Sequence, residues 1–128
     1  MDRVKLTEHD LNVIIEISQM ITDYKHRVLQ SHNWHNFQEY YLPRLVEQLA
    51  TNTFVINNSA NNVFLWLEDQ ITHSRRVAPG IKIKDAVPLQ DLPLGQEALK
   101  ICRLASRGHI SYDSAQHNKK YQDLFPAE

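Results

Sequence analysis

The apolar residues near the amino terminus recur at the spacing of an amphipathic helix. Thr7 and Asp10 precede them and resemble a capping box in which aspartate replaces the usual glutamate. The apolar positions that follow are Leu11, Ile14, Ile15, Ile17, Met20, Ile21, Tyr24 and Val28. This pattern predicts a helix from about Glu8 to about Gln30.

The apolar stripe of this first helix is wider than a single neighbouring element requires, because Ile17 and Met20 broaden it. A wide stripe has two explanations: the helix is buried more deeply in its own domain, or it also contacts a second copy of the chain. On the second explanation we expect a homodimer through the segment Glu8 to Gln30, with the same patch used on both chains.

A second helical pattern begins near Trp34 and contains Pro43. Its apolar positions are Trp34, Phe37, Tyr41, Leu42, Leu45, Val46 and Leu49. Because proline lacks an amide proton and crowds the preceding turn, Pro43 predicts either a kink or a new helix with the proline in its first turn.

Two segments in the middle of the chain are predicted to form an antiparallel hairpin. Thr53 to Ile56 and Val63 to Leu67 are rich in β-branched and aromatic residues, and the stretch Asn57 to Asn62 between them has the composition of a turn. The second segment is apolar on both faces, so helices should cover both sides of the sheet. Ile81 to Lys84 alternates with period two and is predicted to be a short edge strand.

The segment Pro93 to Asp113 is the one around which the other elements are expected to pack. Its apolar residues fall on one stripe: Leu94, Ala98, Ile101, Cys102 and Ala105. They predict a helix from Gln96 to Ser106 whose stripe faces a sheet. Gly108 is suited to end this helix, and His109 to Tyr112 is predicted to be a strand.

The order of these last parts resembles the second half of a GAF domain. The matching parts are Pro93-Leu94-Gly95, the helix Gln96 to Ser106, the turn Arg107-Gly108, the strand His109 to Asp113 and the polar segment Ser114 to Tyr121. PAS domains share this general architecture and stay an alternative. The resemblance implies an α+β fold, with an antiparallel central sheet, helices on both faces and a long N-terminal helix before it. Two further strands and a final helix would follow in a complete GAF domain, so the resemblance implies a domain incomplete at the C-terminus, either a fragment of a longer protein or a shortened variant.

Within a single domain of residues 1–128, the N-terminal helix is assigned to residues 1–33 and the GAF-like or PAS-like core to residues 34–128. The resemblance implies a signal-sensing regulatory input domain of a transcriptional regulator or signalling protein, which responds to an unknown small ligand or protein partner. Ligands of the family lie between the sheet and the helix, which implies Phe64, Trp66, Leu99 and Ser111 as lining residues. The alternative is a stand-alone small interaction protein, of the inhibitor or immunity type, without a ligand pocket.

Composition narrows these possibilities. The 128 residues are 42% hydrophobic, which suits one domain with a sizeable core. The formal charge of −1 gives no general attraction to nucleic acid or to anionic lipid, so we expect neither a direct nucleic-acid contact nor a membrane contact. One cysteine excludes an intramolecular disulfide, and together with the absence of a signal-peptide pattern it leads us to expect a cytoplasmic protein.

Candidate chemistry is sparse. His32, His35 and Glu39 include one pair at helical metal-ligand spacing, but no second such pair of histidines accompanies it, so we interpret them as polar residues around a helix break. Cys102 lies on an apolar stripe and is interpreted as a buried structural thiol. Arg75 and Arg76 are interpreted as solvated surface.

No triad or carboxylate pair can be assigned, so we predict no enzymatic activity, no metal site and no identifiable cofactor.

Overall fold

The computed structural model describes residues 4–28, 31–51, 55–56 and 58–106. The α-helices in these residues are α1 (Glu8–Arg27), α2 (His32–Asn36), α3 (Leu42–Thr51), α4 (Asn58–Thr72) and α5 (Pro93–Ala105). The strands are β1 (Val4–Lys5), β2 (Val55–Ile56), β3 (Arg75–Arg76) and β4 (Val87–Pro88). Short 3₁₀ turns at Ile83–Asp85 and Leu89–Asp91 lie in the connection between α4 and α5.

The predicted α+β fold, with a GAF-like or PAS-like antiparallel central sheet and helices on both faces, is wrong. The described residues are mainly helical, and their strands form two separate antiparallel pairs, β1 with β2 and β3 with β4. Each strand is two residues long. Strands of that length provide no apolar layer on which helices could pack from two sides, so the helices pack on one another instead.

Helix α1 begins as predicted. The Thr7 hydroxyl accepts a hydrogen bond from the Asp10 amide at 3.0 Å, and the Asp10 carboxylate accepts one from the Thr7 amide at 3.0 Å. These reciprocal bonds satisfy two amides that a helix start otherwise leaves unpaired. The helix ends at Arg27, a little before the predicted end.

The wide apolar stripe of α1 is accounted for by burial within the chain. Ile14, Ile17 and Ile21 are fully buried in the core, and α1 packs against α5, α3 and β3. The explanation by deeper burial is therefore the one that the structure supports. Homodimerisation stays a prediction, but Ile17 and Ile21 are not on the surface that it would need.

The chain passes from α2 to α3 through a π-helical turn, Phe37–Tyr41. The Leu42 amide donates to the Phe37 carbonyl, five residues earlier, and Pro43 follows in the first turn of α3. Since a proline ring crowds the turn before it, the wider π turn lies where extra room is needed. The helical backbone continues without a break from α2 through the π turn into α3, so of the two outcomes expected at Pro43 the new helix start is wrong, and a kink stays a prediction.

The predicted hairpin is wrong. Val55–Ile56 is a strand, but it pairs with Val4–Lys5, and Val63 to Leu67 lies inside helix α4. Five successive apolar residues are compatible with a buried strand and with a buried helix. Helix α4 extends to Thr72 and buries Ile71 one turn after Leu67, so the apolar face continues with helical and not strand periodicity.

Helix α5 carries the predicted stripe but has other neighbours. It begins at Pro93 and not at Gln96, with the proline at a position in the first turn that needs no amide proton. Ala98, Ile101, Cys102 and Ala105 are buried as predicted, and α5 packs on α4 and α1 where a sheet was expected. The predicted strand Ile81 to Lys84 is also wrong, because a 3₁₀ turn occupies Ile83–Asp85. Gly108 and the predicted strand His109 to Tyr112 lie outside the described residues.

Truncation of Ile101 to alanine should lower the free energy of unfolding by about 2 to 5 kcal/mol, as is usual for a buried aliphatic side chain. Leu104→Ala on the exposed side of the same helix is the matched control, with an expected change within about 0.5 kcal/mol. Urea denaturation followed by circular dichroism measures both. Equal losses for the two variants would contradict this orientation of α5.

Candidate functional site

Three of the four residues predicted to line a ligand pocket lie in the helical core. Phe64 and Trp66 are on α4 and Leu99 is on α5, with exposed fractions of 0%, 1% and 7%. The fourth, Ser111, lies outside the described residues. Ligand binding by these residues stays a prediction, but the sheet that was to form one wall of the pocket is replaced by helix α4.

The aromatic side chains of the core pack on one another. The ring centroids of Trp34 and Trp66 are 5.7 Å apart, and those of Phe37 and Trp66 are 5.5 Å apart. Trp34 stacks on Phe37 at 4.9 Å, and Tyr41 meets Phe64 edge-on at 6.3 Å. These separations are those of favourable aromatic pairs. The faces of these rings are thus used in packing α2 and the π turn against α4.

The buried hydroxyl groups of α1 are used in structural hydrogen bonds. The Trp34 indole donates to the Thr22 hydroxyl at 3.0 Å, and the Thr22 hydroxyl donates to the Ser18 carbonyl at 2.9 Å. The Ser18 hydroxyl donates to the Ile14 carbonyl at 2.7 Å. Because buried polar groups are costly when unpaired, this chain of bonds stabilises the packing of Trp34 on α1.

Cys102 is a buried structural thiol, as predicted. It is fully buried, and burial raises the pKa of the Cys102 thiol, with Glu68 acting in the same direction and Arg103 against it. A reactive thiolate needs an accessible, electropositive site and a lowered pKa. Cys102 is instead inaccessible, and the pKa of its thiol is raised.

The histidine and glutamate side chains that have metal-ligand spacing do not form a cluster. His35 and Glu39 are exposed, and the His32 Nε2 atom lies 3.1 Å from the Asn36 amide nitrogen. Among the described residues, no group of three or more histidine, cysteine, aspartate or glutamate side chains could hold a metal ion.

An open depression of about 480 Å³ lies between the end of α1 and the turn that follows β3. Its lining residues are Asp23, Arg27, Val77, Ala78, Pro79 and Gly80. The Arg27 guanidinium donates to the Ala78 carbonyl at 3.2 Å and to the Ile81 carbonyl at 2.8 Å. These two hydrogen bonds connect the turn at residues 78–81 to the end of α1 and so fix the shape of the depression.

The turn itself has the features of a type II β-turn. The Ile81 amide donates to the Ala78 carbonyl at 3.2 Å, Pro79 is the first central residue, and Gly80 has a φ of 80°. Type II turns favour proline and glycine at these two positions. With its backbone set by these residues and by Arg27, the rim of the depression is preformed.

Strands β3 and β4 pair at the two ends of the segment that contains this turn. The Arg75 guanidinium donates to the Ala86 carbonyl at 2.7 Å, and β3 pairs with β4. Arg75 and Arg76, interpreted from the sequence as solvated surface, are half-buried and exposed respectively. Sequence reasoning missed the role of Arg27, although the Pro79-Gly80 pair was a recognisable turn signal.

Comparisons with known proteins do not decide the function. Neither family models, nor curated proteins, nor solved structures match the chain. The resemblance to GAF domains gains no support from them. Within the part of the chain that the structure describes, no helix is long and apolar enough to cross a membrane.

Exposed apolar side chains lie on the elements that form the depression. Val28 follows the end of α1, Ile81 completes the turn, and Val87 is on β4. Ile81 has an exposed fraction of 43%. Single exposed apolar residues are common on protein surfaces, but Val28 and Ile81 directly follow the lining residues Arg27 and Gly80 in the chain and so extend the apolar surface next to the depression.

Proposed function

We propose that this chain is a small helical protein-interaction domain that binds its partner at the open depression beside the end of α1. One contrast carries the proposal. The large aromatic side chains are packed in the core, whereas the depression is open, is lined in part by Val77, Ala78 and Pro79, and has a rim held by the hydrogen bonds of Arg27. A preformed apolar surface lowers the cost of ordering on binding, which favours a protein partner.

Ligand sensing at the residues implied by the GAF resemblance is the less favoured proposal. Small-ligand sites enclose most of the ligand among apolar side chains with a few polar anchors. Phe64 and Trp66 use their rings to pack α4 against other aromatic residues. The depression has the volume of a ligand site, but it is open and its arginine already binds two carbonyls. If the chain is an interaction domain, any regulatory role of this chain would be exerted through the protein that it binds.

Peptides selected from a random display library against the full chain should bind at the depression. Binding should perturb the amide resonances of Val77, Ala78, Gly80 and Ile81, and Ile81→Ser should weaken it about tenfold, or about 1.4 kcal/mol, since apolar burial at Ile81 is lost. Titration followed by NMR and calorimetry measures both effects.

Leu104→Ser is the matched control for Ile81→Ser. Leu104 has an exposed fraction of 41%, close to that of Ile81, but it lies on α5. The Leu104 variant should bind the selected peptides as the wild type does. Peptides that depend on Leu104 and not on Ile81, or a selection that yields no binder, would refute the proposed site. Apolar small molecules that perturb Phe64 and Trp66 would favour ligand sensing instead.

A further inference from the structure

Positive charge is concentrated around the depression, although the whole chain has a formal charge of −1. Residues 23–28 and 75–86 contain six lysines and arginines against two aspartates. The cations are Lys25, Arg27, Arg75, Arg76, Lys82 and Lys84. With 14 basic and 15 acidic residues in total, the rest of the chain has eight basic and thirteen acidic residues. The two segments that meet at the depression are therefore basic, whereas the rest of the chain is acidic.

The cations of this surface differ in their availability. Arg27 and Arg75 donate to backbone carbonyls, which fix their positions without neutralising their charge. Lys25 lies above the Trp34 ring at 6.0 Å, and desolvation lowers the pKa of this half-buried ammonium, with Asp69 opposing the shift.

Three further cations are open to solvent. Arg76, Lys82 and Lys84 are exposed, and within the described residues the salt bridges are made by other side chains: His9 with Glu97, His73 with Asp69 and Arg103 with Glu68. These three cations are free to face a partner.

We propose that the depression binds an acidic segment of a partner protein. An apolar side chain of that segment contacts Val77 and Pro79, and carboxylates on either side of it face Arg76, Lys82 and Lys84. This inference rests on the proposed function and specifies the chemistry of the partner. Complementary charge accelerates and orients the encounter, while burial of the apolar side chain supplies affinity.

The charges that line the depression indicate where the acidic and the apolar side chains of the partner segment would lie. Asp23 lines the depression, and its carboxylate accepts a hydrogen bond from the Gln19 amide at 3.2 Å. Inside the depression a partner carboxylate would be repelled by Asp23 and attracted by Arg27, and these two effects largely offset each other. The acidic groups are therefore expected at the rim, next to the exposed cations, and the apolar group at the centre.

A polypeptide fits this surface better than a nucleic acid does. Binding to a phosphate backbone typically depends on about six to ten phosphate contacts and has little use for an apolar depression. Here three exposed cations border an apolar turn. That combination matches a short segment with a few carboxylates and one or two apolar side chains.

A synthetic peptide that carries phenylalanine between glutamates tests the inference with the full chain. Calorimetry should show binding that weakens as salt is raised, because exposed charges are screened. The same peptide with glutamine in place of glutamate should bind about tenfold more weakly. The double variant Lys82→Glu, Lys84→Glu should weaken binding of the glutamate peptide by at least about tenfold. Lys100→Glu, at an exposed position of α5, should leave binding unchanged.

The possible results distinguish failure of the inference that the partner is acidic from failure of the proposed interaction site. Equal binding of both peptides, with no effect of the double variant but a loss in Ile81→Ser, would overturn the acidic partner and leave the proposed function intact. Failure of both peptides, together with a display selection that yields no binder, would overturn both proposals. Binding of a short DNA duplex in place of the peptides would overturn the inference in favour of nucleic acid. Salt-dependent self-association that the double variant abolishes would show a second copy of the chain to be the partner. Circular dichroism confirms that each variant is folded.

Discussion

Replacement of Ile17 and Ile21 together by glutamate is expected to unfold the protein and not merely to separate protomers. Both side chains are fully buried on the face of α1 that packs in the core. A carboxylate buried without a partner costs several kcal/mol, and two of them approach the whole stability of a domain, about 5 to 15 kcal/mol. Circular dichroism should show loss of helix and of the cooperative thermal transition.

The matched control places glutamate on the exposed face of the same helix. Asn12→Glu with Gln19→Glu introduces the same two charges at exposed positions, where repulsion from Glu8, Glu16 and Asp23 and loss of the Gln19 hydrogen bond should lower the free energy of unfolding by only about 1 to 2 kcal/mol. If the Ile17 and Ile21 variant instead gave a folded monomer from a dimeric wild type, the stripe would be an interface between protomers, and its burial within one chain would be wrong.

Gly95→Ala is expected to be strongly destabilising. A Cβ atom at this position would lie 1.7 Å from the carbonyl oxygen of Leu89 and 2.6 Å from its carbonyl carbon. Leu89 cannot move freely, because its side chain is buried and its amide donates to the Ser74 carbonyl at 2.9 Å. Displacement of α5 or of the preceding turn should cost about 3 kcal/mol or more, the upper range for overpacking. Urea denaturation measures the loss.

Gly80→Ala is the comparison variant, because it changes the allowed backbone conformation without creating the steric clash expected at Gly95. An added Cβ at Gly80 would meet no atom within 4 Å, but the residue has a φ of 80°. The cost should therefore be about 1 kcal/mol, from backbone conformation alone. A larger loss for Gly80→Ala than for Gly95→Ala would contradict the close approach of α5 to Leu89.

The parts of the fold that the sequence predicts well are those fixed by neighbours in the chain. The capping pair Thr7 and Asp10 and the helical spacing of Ala98, Ile101 and Cys102 act within a few residues of each other, so their structural consequences could be read locally. The width of the α1 stripe also indicated burial correctly. Spacing alone could not show whether the covering surface belongs to the same chain or to a second one.

The parts that were predicted wrongly depend on distant residues. Val63 to Leu67 has no period that distinguishes strand from helix, and its helical state is supported by packing against α5. The depression likewise joins segments far apart in sequence, since Arg27 binds the carbonyls of Ala78 and Ile81. Neither segment alone predicts that the two will meet, whereas Phe64 and Trp66 were predicted as pocket residues because the GAF resemblance implied them.

The packing of α1 on α5 has a consequence for synthesis on the ribosome. Helix α1, whose isoleucines Ile14, Ile17 and Ile21 are buried, contacts α5 more extensively than any other element, and α5 begins at Pro93. At elongation rates of about 5 to 20 residues per second, the nascent chain needs on the order of ten seconds to reach α5 after α1 is made. Throughout that interval the apolar face of α1 lacks its main cover, so it is the segment on which a chaperone would act during translation.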